Sequence, residues 1–293
     1  MRRKNQMDMK KGLTLGLSIV LEATFMVGCG GSSAKKEEPN KAGAEITGTV
    51  KASGSTALLP LLKAGQEEFQ KKNAKVTVNI AGGGSFTGQN QVASGAVNIG
   101  NSDVALDAKL NDKGLIEHKL VGIPFVFIAH KDVNVDSLTT EQYVGIMTGK
   151  ITNWKDVGGK DLKITLIHRS PSSGSRATIQ QLVLKTDKFT DNAVIQDSNG
   201  AVRAAIGSTA GAIGYVDAAY ADATVKTLAV DGVKYSLADV ANGKYKILTF
   251  GRMFTKGQPT GATKAFIDFV TSKEFQETYA EKSGFVPITK MPK

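Results

Sequence analysis

Three clusters of glycine and hydroxyl residues in this chain each stand directly before a segment that the sequence predicts to be helical. The clusters are Gly54-Ser55-Thr56 before 57–71, Gly82-Gly83-Gly84-Ser85 before 86–94, and Ser172-Ser173-Gly174-Ser175 before 176–184. A helix N-terminus offers unpaired backbone N–H groups and the positive end of the helix dipole. Glycine lets an anion approach the backbone, and hydroxyl groups add donors. One such cluster is usually only an N-cap. Three of them, with Arg169 beside the third, predict an oxyanion held between several helix ends.

The segments around these clusters alternate between strand and helix patterns. Val76, Val78 and Ile80 share one face of a strand predicted at 75–80. We predict further strands at 121–129, 164–167, 212–216 and 246–250, and further helices at 139–148 and 263–279. Repetition of strand, loop and helix predicts an α/β fold with parallel strands. Ligands of such sheets lie beyond the carboxyl ends of the strands, which is where the three clusters fall.

The composition favours an anionic partner and argues against two classes of ligand. The net charge is +10, and it is +7 without the five Lys/Arg and two Asp/Glu of residues 1–28. The folded part has no run of Lys and Arg with interleaved aromatic residues, so nucleic acid is not expected. Aromatic residues make up 6% of the chain, with Trp154 as the single tryptophan, which disfavours a site that stacks sugars or bases.

Residues 1–28 have the pattern of a bacterial lipoprotein signal peptide. Five Lys/Arg precede an apolar stretch at 13–21 that is too short and too interrupted to cross a membrane as a helix. Cys29, the sole cysteine of the chain, follows at the position of the acylated cysteine in a lipobox, although Glu22 and Met26 depart from the usual pattern. We expect a lipid such as palmitate on Cys29, with ordinary signal cleavage or a buried free thiol as the alternatives. The small, polar and charged residues at 29–45 predict a flexible tether before a folded part that begins near Ile46.

Six motifs of the folded part, taken in order, resemble those of the phosphate-binding subunit of bacterial phosphate ABC transporters. They are GSTALLPL (54–61), AGGGSFTG (81–88), GNSDVAL (100–106), GKITNWKDVGG (149–159), HRSPSSGSR (168–176) and GAIGYVDAAYA (211–221). The segment 266–288 is similar to the C-terminal helices of that family. The resemblance implies an α/β, two-lobed periplasmic-binding-protein fold (type II-like) with the ligand in the interlobe cleft. It implies that residues 46–125 with 247–293 form lobe 1 and that 126–246 form lobe 2.

The resemblance also implies a set of phosphate-binding residues. They are the Thr56 hydroxyl, the Ala57 backbone N–H, the Ser85 hydroxyl, the Asp103 carboxylate, the Arg169 guanidinium, and Ser173, Gly174 and Ser175 of the third cluster. Pro171 stands where many members have an aspartate that steadies the arginine, so the orientation of Arg169 is left open. Ser175 replaces a threonine and keeps the hydroxyl.

A carboxylate in an anion site has a chemical use. Hydrogen phosphate carries a proton that it can donate to Asp103, whereas sulfate carries none and would face the carboxylate with repulsion. Asp103 would therefore select phosphate over sulfate. The alternative is an ordinary Asx turn after Asn101-Ser102.

The expected function is extracytoplasmic, high-affinity binding of inorganic phosphate and its delivery to an ABC permease with its ATPase. The protein would be a monomer, lipid-anchored on the outer face of the cell membrane of a Gram-positive bacterium, and would use no cofactor and no metal. The alternatives are a binding protein for another tetrahedral oxyanion, such as sulfate or molybdate, and a surface adhesion or signalling protein.

Catalysis is disfavoured because Thr87 breaks the nucleophile-elbow pattern around Ser85, and because Gln89 stands where a P-loop requires lysine.

Overall fold

The computed structural model describes residues 45–291 of the chain, in which strands and helices alternate as predicted. The predictions for the signal peptide, for Cys29 and for nearly all of the tether lie outside these residues. The strands are β1 Gly48–Gly54, β2 Val76–Ala81, β3 Ile99–Ser102, β4 Leu115–Ala129, β5 Ser137–Leu138, β6 Thr165–Arg169, β7 Val194–Gln196, β8 Ala212–Asp217, β9 Lys226–Val230, β10 Leu248–Lys256 and β11 Val286–Pro287. The helices are α1 Leu59–Lys72, α2 Ser85–Ser94, α3 Thr140–Met147, α4 Gly174–Ile179, α5 Asn199–Ser208, α6 Leu237–Ala241, α7 Gly261–Thr271 and α8 Lys273–Phe275.

Two groups of strands are joined through β4. In the first group the order is β2-β1-β3-β10-β4, with β1 parallel to β2 and β3, and β10 antiparallel to β3 and β4. In the second group β4 is antiparallel to β8, and β8, β6 and β7 are mutually parallel. The prediction of parallel strands therefore holds within each group but is wrong for β4 and β10. The pairing of β4 with β10 is a long-range contact that no local pattern encodes.

The change of partner along β4 occurs at one point. Pro124 pairs with Leu248 of β10, and the next residue, Phe125, pairs with Asp217 of β8. Every residue of β4 from 120 to 129 is buried. A strand covered on both faces has no reason to alternate polar and apolar residues, which explains the continuous apolar run in the sequence.

Two predicted helices differ from the structure in an informative way. The first helix begins at Leu59 because residues 56–58 form a turn, in which the Ser55 hydroxyl accepts a hydrogen bond from the Leu58 amide at 3.2 Å. The single helix predicted at 263–279 is wrong. Ser272 is extended, with φ −63° and ψ 147°, and its hydroxyl caps a new helix by accepting from the Phe275 amide. Serine is common at the N-cap position because its hydroxyl can accept such a hydrogen bond. Here Ser272 divides a segment whose apolar face is otherwise continuous.

The C-terminal helices pack their apolar side against the core. Phe266, Val270 and Phe275 are buried, and the Phe69 ring of α1 packs against Phe266 with 5.4 Å between ring centroids. No helix within residues 45–291 is both long enough and apolar enough to cross a membrane.

Candidate functional site

The three glycine and hydroxyl clusters meet in the folded chain. Ser85 at the start of α2 accepts a hydrogen bond from the Asp103 amide at 2.9 Å, and Gly174 at the start of α4 packs against both residues. The Phe86 amide donates to the Ser172 carbonyl at 3.2 Å, which ties the second cluster to the third. The structure thus brings together helix ends that are about 90 residues apart in the chain.

All the predicted site residues are buried at this junction. The side chains most relevant to an anion, those of Thr56, Ser85, Asp103, Arg169, Ser173 and Ser175, belong to residues that are at most 4% exposed. Ala57 is fully buried in the turn before α1. The Ser173 hydroxyl caps α4 by accepting from the Arg176 amide at 3.2 Å. Polar side chains buried at this density need partners, either from the protein or from a ligand.

The Asp103 carboxylate accepts hydrogen bonds from two serine hydroxyls and does not form an Asx turn. The Ser55 hydroxyl donates to its Oδ1, and the Ser175 hydroxyl donates to its Oδ2 at 3.1 Å. The turn after Asn101 is closed instead by Ser102, whose Oγ accepts from the Val104 amide. Burial raises the pKa of Asp103, and the hydrogen bond from Ser55 and the charge of Arg169 oppose that rise. The carboxylate is therefore fixed in place and is costly to ionise without cationic neighbours.

Arg169 is held by main-chain carbonyls instead of by an acidic side chain. Its Nε donates to the Gln196 carbonyl at 3.2 Å and its Nη2 donates to the Asp197 carbonyl at 2.8 Å. The last residue of β7 and the residue that follows it thereby orient the guanidinium, without a contribution from Pro171. Within residues 45–291 the buried Nη1 of Arg169 has no hydrogen-bond partner. Burial lowers the pKa of Arg169 and the nearby Asp103 carboxylate opposes this shift. A buried guanidinium donor without an acceptor is an unfavourable arrangement that an oxyanion would correct.

A further helix N-terminus, which the sequence did not lead us to predict, contributes to the same junction. Asn199 begins α5, and both its amide N–H and its Nδ2 donate to the Thr56 hydroxyl oxygen, at 3.3 and 3.1 Å. Ser198 caps this helix in the same way that Ser173 caps α4. The stretch Asp197-Ser198-Asn199-Gly200 is a polar, glycine-containing cluster before a helix, and this signal could have identified it. Ser55 lies within the first cluster, and its sequence pattern predicts no role for it beyond that of its neighbours.

The three histidines of the chain have hydrogen-bond partners other than these hydroxyls. His168 accepts a hydrogen bond from Arg176 at 2.7 Å, and burial together with the Arg176 charge lowers its pKa to about 4. His118 contacts Thr255, and His130 is paired with Asp132. Among residues 45–291 no histidine is hydrogen-bonded to Ser85 or Ser173. In this part of the chain there is also no group of three or more His, Cys, Asp or Glu side chains that could hold a metal ion.

Comparison with known proteins identifies the family to which this arrangement belongs. A family model described as the PBP superfamily domain matches residues 39–274. The chain is 37% identical over 291 residues to the phosphate-binding protein PstS of Bacillus subtilis. The aligned region covers 97% of this chain and 96% of that protein. The chain belongs to the PstS family. A second PstS relative, from Borreliella burgdorferi, is 29% identical over 82% of this chain and 90% of its own length.

A solved structure of a related protein supports the PstS assignment at the level of the fold. It is described as a phosphate ABC transporter substrate-binding protein with bound phosphate from Clostridium perfringens. It is 32% identical to this chain with a TM-score of 0.79, and the match covers 82% of this chain and all of that one. The resemblance inferred from the motifs and the predicted periplasmic-binding-protein fold are both confirmed.

Proposed function

We propose that this chain binds inorganic phosphate outside the cytoplasm and delivers it to the permease and ATPase of an ABC importer. The observation that carries the proposal is the buried Arg169 beside the Asp103 carboxylate, with an Nη1 that has no hydrogen-bond partner in the described part of the chain. A cationic donor and a carboxylate acceptor in one buried place fit an anion that also carries a proton. Hydrogen phosphate is an anion and carries a proton, whereas sulfate is an anion without a proton.

The bound anion would be contacted by donors from several helix ends. Thr56, Ser85 and Ser173 supply hydroxyl groups, and the starts of α2 and α4 with Ala57, Gly174 and Ser175 supply backbone N–H groups. Each charge-assisted hydrogen bond contributes roughly 1.5–3 kcal/mol, and a micromolar site needs only about 8 kcal/mol net. A handful of such donors is therefore enough after the costs of ordering and desolvation.

Closure of two lobes around the anion is the proposed mechanism. The change of strand partner at Phe125 supports lobe 1 at 46–125 with 247–293, and lobe 2 at 126–246. The contacts of Ser175 with Asp103 and of Asn199 with Thr56 would then cross from one lobe to the other, so they exist only when the lobes are closed. An anion that bridges both lobes shifts the population towards this closed state. The closed form would dock on the permease, and no covalent bond would be made or broken by this chain.

The location of the protein follows from the same proposal. A lipid on Cys29 and the tether at 29–45 would hold a monomer on the outer face of the membrane of a Gram-positive bacterium. The relative from Bacillus subtilis supports this assignment, because it is similar along nearly the whole of both chains.

Calorimetric titration of the anion-free protein tests the function. Phosphate, arsenate, sulfate and molybdate are added in turn, and we expect tight binding of phosphate and arsenate with no response to sulfate. Tight binding of sulfate or molybdate would reassign the substrate on the same fold. No binding of any of the four would favour an adhesion or signalling role instead.

A further inference from the structure

The orientation of the buried Asn199 side chain is determined by its surroundings. The Asp217 amide donates to Asn199 Oδ1 at 3.1 Å, and a backbone N–H can only donate. The oxygen of the side-chain amide must therefore face β8, and its Nδ2 must face the site. Asn199 has no exposed surface, so water cannot replace these partners.

The two protons of Nδ2 reach two different hydroxyl groups. One is donated to Thr56 Oγ1 at 3.1 Å and the other to Ser175 Oγ at 3.4 Å. The backbone amide of Asn199 donates to Thr56 Oγ1 as well, at 3.3 Å. Since a hydroxyl oxygen has two lone pairs, Asn199 alone occupies the full accepting capacity of Thr56. The Thr56 hydroxyl can therefore make only one further hydrogen bond, in which it donates its own proton.

We propose that Asn199 is a positioning residue that makes the Thr56 hydroxyl an obligatory donor towards the bound anion. This inference rests on the proposed binding of phosphate. The Thr56 hydroxyl can then only donate to a phosphate oxygen, because it has no lone pair left to accept a hydrogen bond from a P–OH group. The single proton of hydrogen phosphate therefore cannot be donated to Thr56, and the Asp103 carboxylate is left to accept it.

Ser175 is used differently in this scheme. Its Oγ accepts from Asn199 and donates to Asp103 Oδ2 at 3.1 Å, so its proton is committed to the carboxylate. The Ser175 side chain aligns Asp103, and Ser175 would contact the anion through its backbone N–H. Asn199 thus links the donor side of the site, at Thr56, with the acceptor side, at Asp103.

A double-mutant cycle tests the inference because a residue that acts through Thr56 has little effect once the Thr56 hydroxyl is gone. The affinity of the full chain for inorganic phosphate is measured by calorimetry for wild type, Asn199→Ala, Thr56→Val and the double variant. We expect Asn199→Ala to weaken phosphate binding about tenfold in the wild type but less than about threefold in the Thr56→Val background. Equal losses in the two backgrounds, or no loss in the wild type, would overturn the proposal.

Two further variants separate positioning from folding. Asn199→Asp keeps the acceptor for the Asp217 amide and the side-chain shape but removes the donor, so we expect it to bind phosphate at least as weakly as Asn199→Ala. Wild-type affinity in Asn199→Asp would also overturn the proposal.

Asn98, an exposed residue whose Oδ1 accepts from the Lys51 amide, provides the matched control, and Asn98→Ala should bind phosphate like the wild type. If the wild type itself fails to bind phosphate, it is the proposed function that fails, whereas an additive cycle removes only the role of Asn199.

Discussion

Gly174 packs so closely against Ser85 that no side chain fits between them. A β-carbon at residue 174 would lie 2.7 Å from the Ser85 β-carbon and 2.9 Å from that of Asp103. The start of α4 thereby reaches the start of α2 directly, and the two sets of backbone donors can face one anion. The glycine at this position is required by the close approach of two chain segments that a side chain would hold apart.

We expect Gly174→Ala to weaken phosphate binding by about 1–3 kcal/mol, the usual cost of overpacking, which is about five- to hundredfold in affinity. The added methyl group would keep α4 from its contact with Ser85 and so disfavour the closed state. Calorimetry gives the affinity, and small-angle scattering should show a smaller phosphate-induced compaction than in the wild type.

Gly207 in α5 is the matched control for this change. A β-carbon there would meet its nearest atom at 3.5 Å, an ordinary van der Waals contact. Gly207→Ala should leave phosphate affinity unchanged. Equal affinities of the Gly174 and Gly207 variants would show that the contact with Ser85 does not control binding.

Removal of the Arg169 guanidinium should nearly abolish phosphate binding. We expect Arg169→Ala to lose at least about a hundredfold in affinity, because the buried cation supplies charge-assisted hydrogen bonds to the anion. Arg203→Ala removes the same charge from the α5 surface, where Arg203 is paired with Asp222, and serves as the control. If both variants lost affinity equally, the effect would belong to net charge and not to the site.

Replacement of Asp103 tests the selectivity for a protonated anion. In Asp103→Asn the amide no longer repels sulfate and it can donate a hydrogen bond to a sulfate oxygen. We expect phosphate affinity to fall about tenfold and sulfate binding to become measurable by calorimetry. A variant that still ignores sulfate while it binds phosphate would contradict the proposed role of the carboxylate.

His168 should make the fold less stable in acid. Burial, followed by the nearby Arg176 charge, lowers its pKa from 6.5 to about 4 in the folded chain. Below pH 6.5 the unfolded chain takes up a proton that the folded chain does not, so the contribution of His168 to stability is complete above this pH and is lost as the pH falls towards 4. The loss amounts to about 3 kcal/mol of the free energy of unfolding.

The measurement is urea unfolding of wild type and His168→Asn between pH 7 and pH 4. Asparagine keeps an acceptor for Arg176 but has no proton to gain. The variant should lack this part of the pH dependence. The difference in the free energy of unfolding between the wild type and His168→Asn should therefore shrink as the pH falls. The comparison is needed because the raised pKa values of the buried Asp103 and Asp217 act in the opposite direction over this range. A difference that stays constant with pH would contradict the assignment.

Local signals in the sequence were sufficient to predict much of the site. The glycine and hydroxyl clusters reflect requirements of a helix end, which are satisfied within a few residues, so Ser85, Ser173 and Gly174 could be selected before any fold was known. Arg169 could be selected as well, because it stands beside the third cluster, whereas the role of Asp103 required the resemblance to a family. Strands β2, β6 and β8 were likewise predictable, because the spacing of apolar residues records which side of a segment is buried, whereas β1, β3 and α5 were not predicted.

The tertiary structure decided what depends on distant partners. The proposed role of Asn199 follows from contacts with Thr56 and Asp217, which lie 143 and 18 residues away. The orientation of Arg169 follows from two carbonyl groups, one at the end of β7 and one just after it. The switch of β4 from β10 to β8 at Phe125 is another such contact. A sequence pattern records the burial and the local bonding of each residue. It does not record which buried groups come to share one hydrogen-bond network, because that is fixed only when the separate segments pack together.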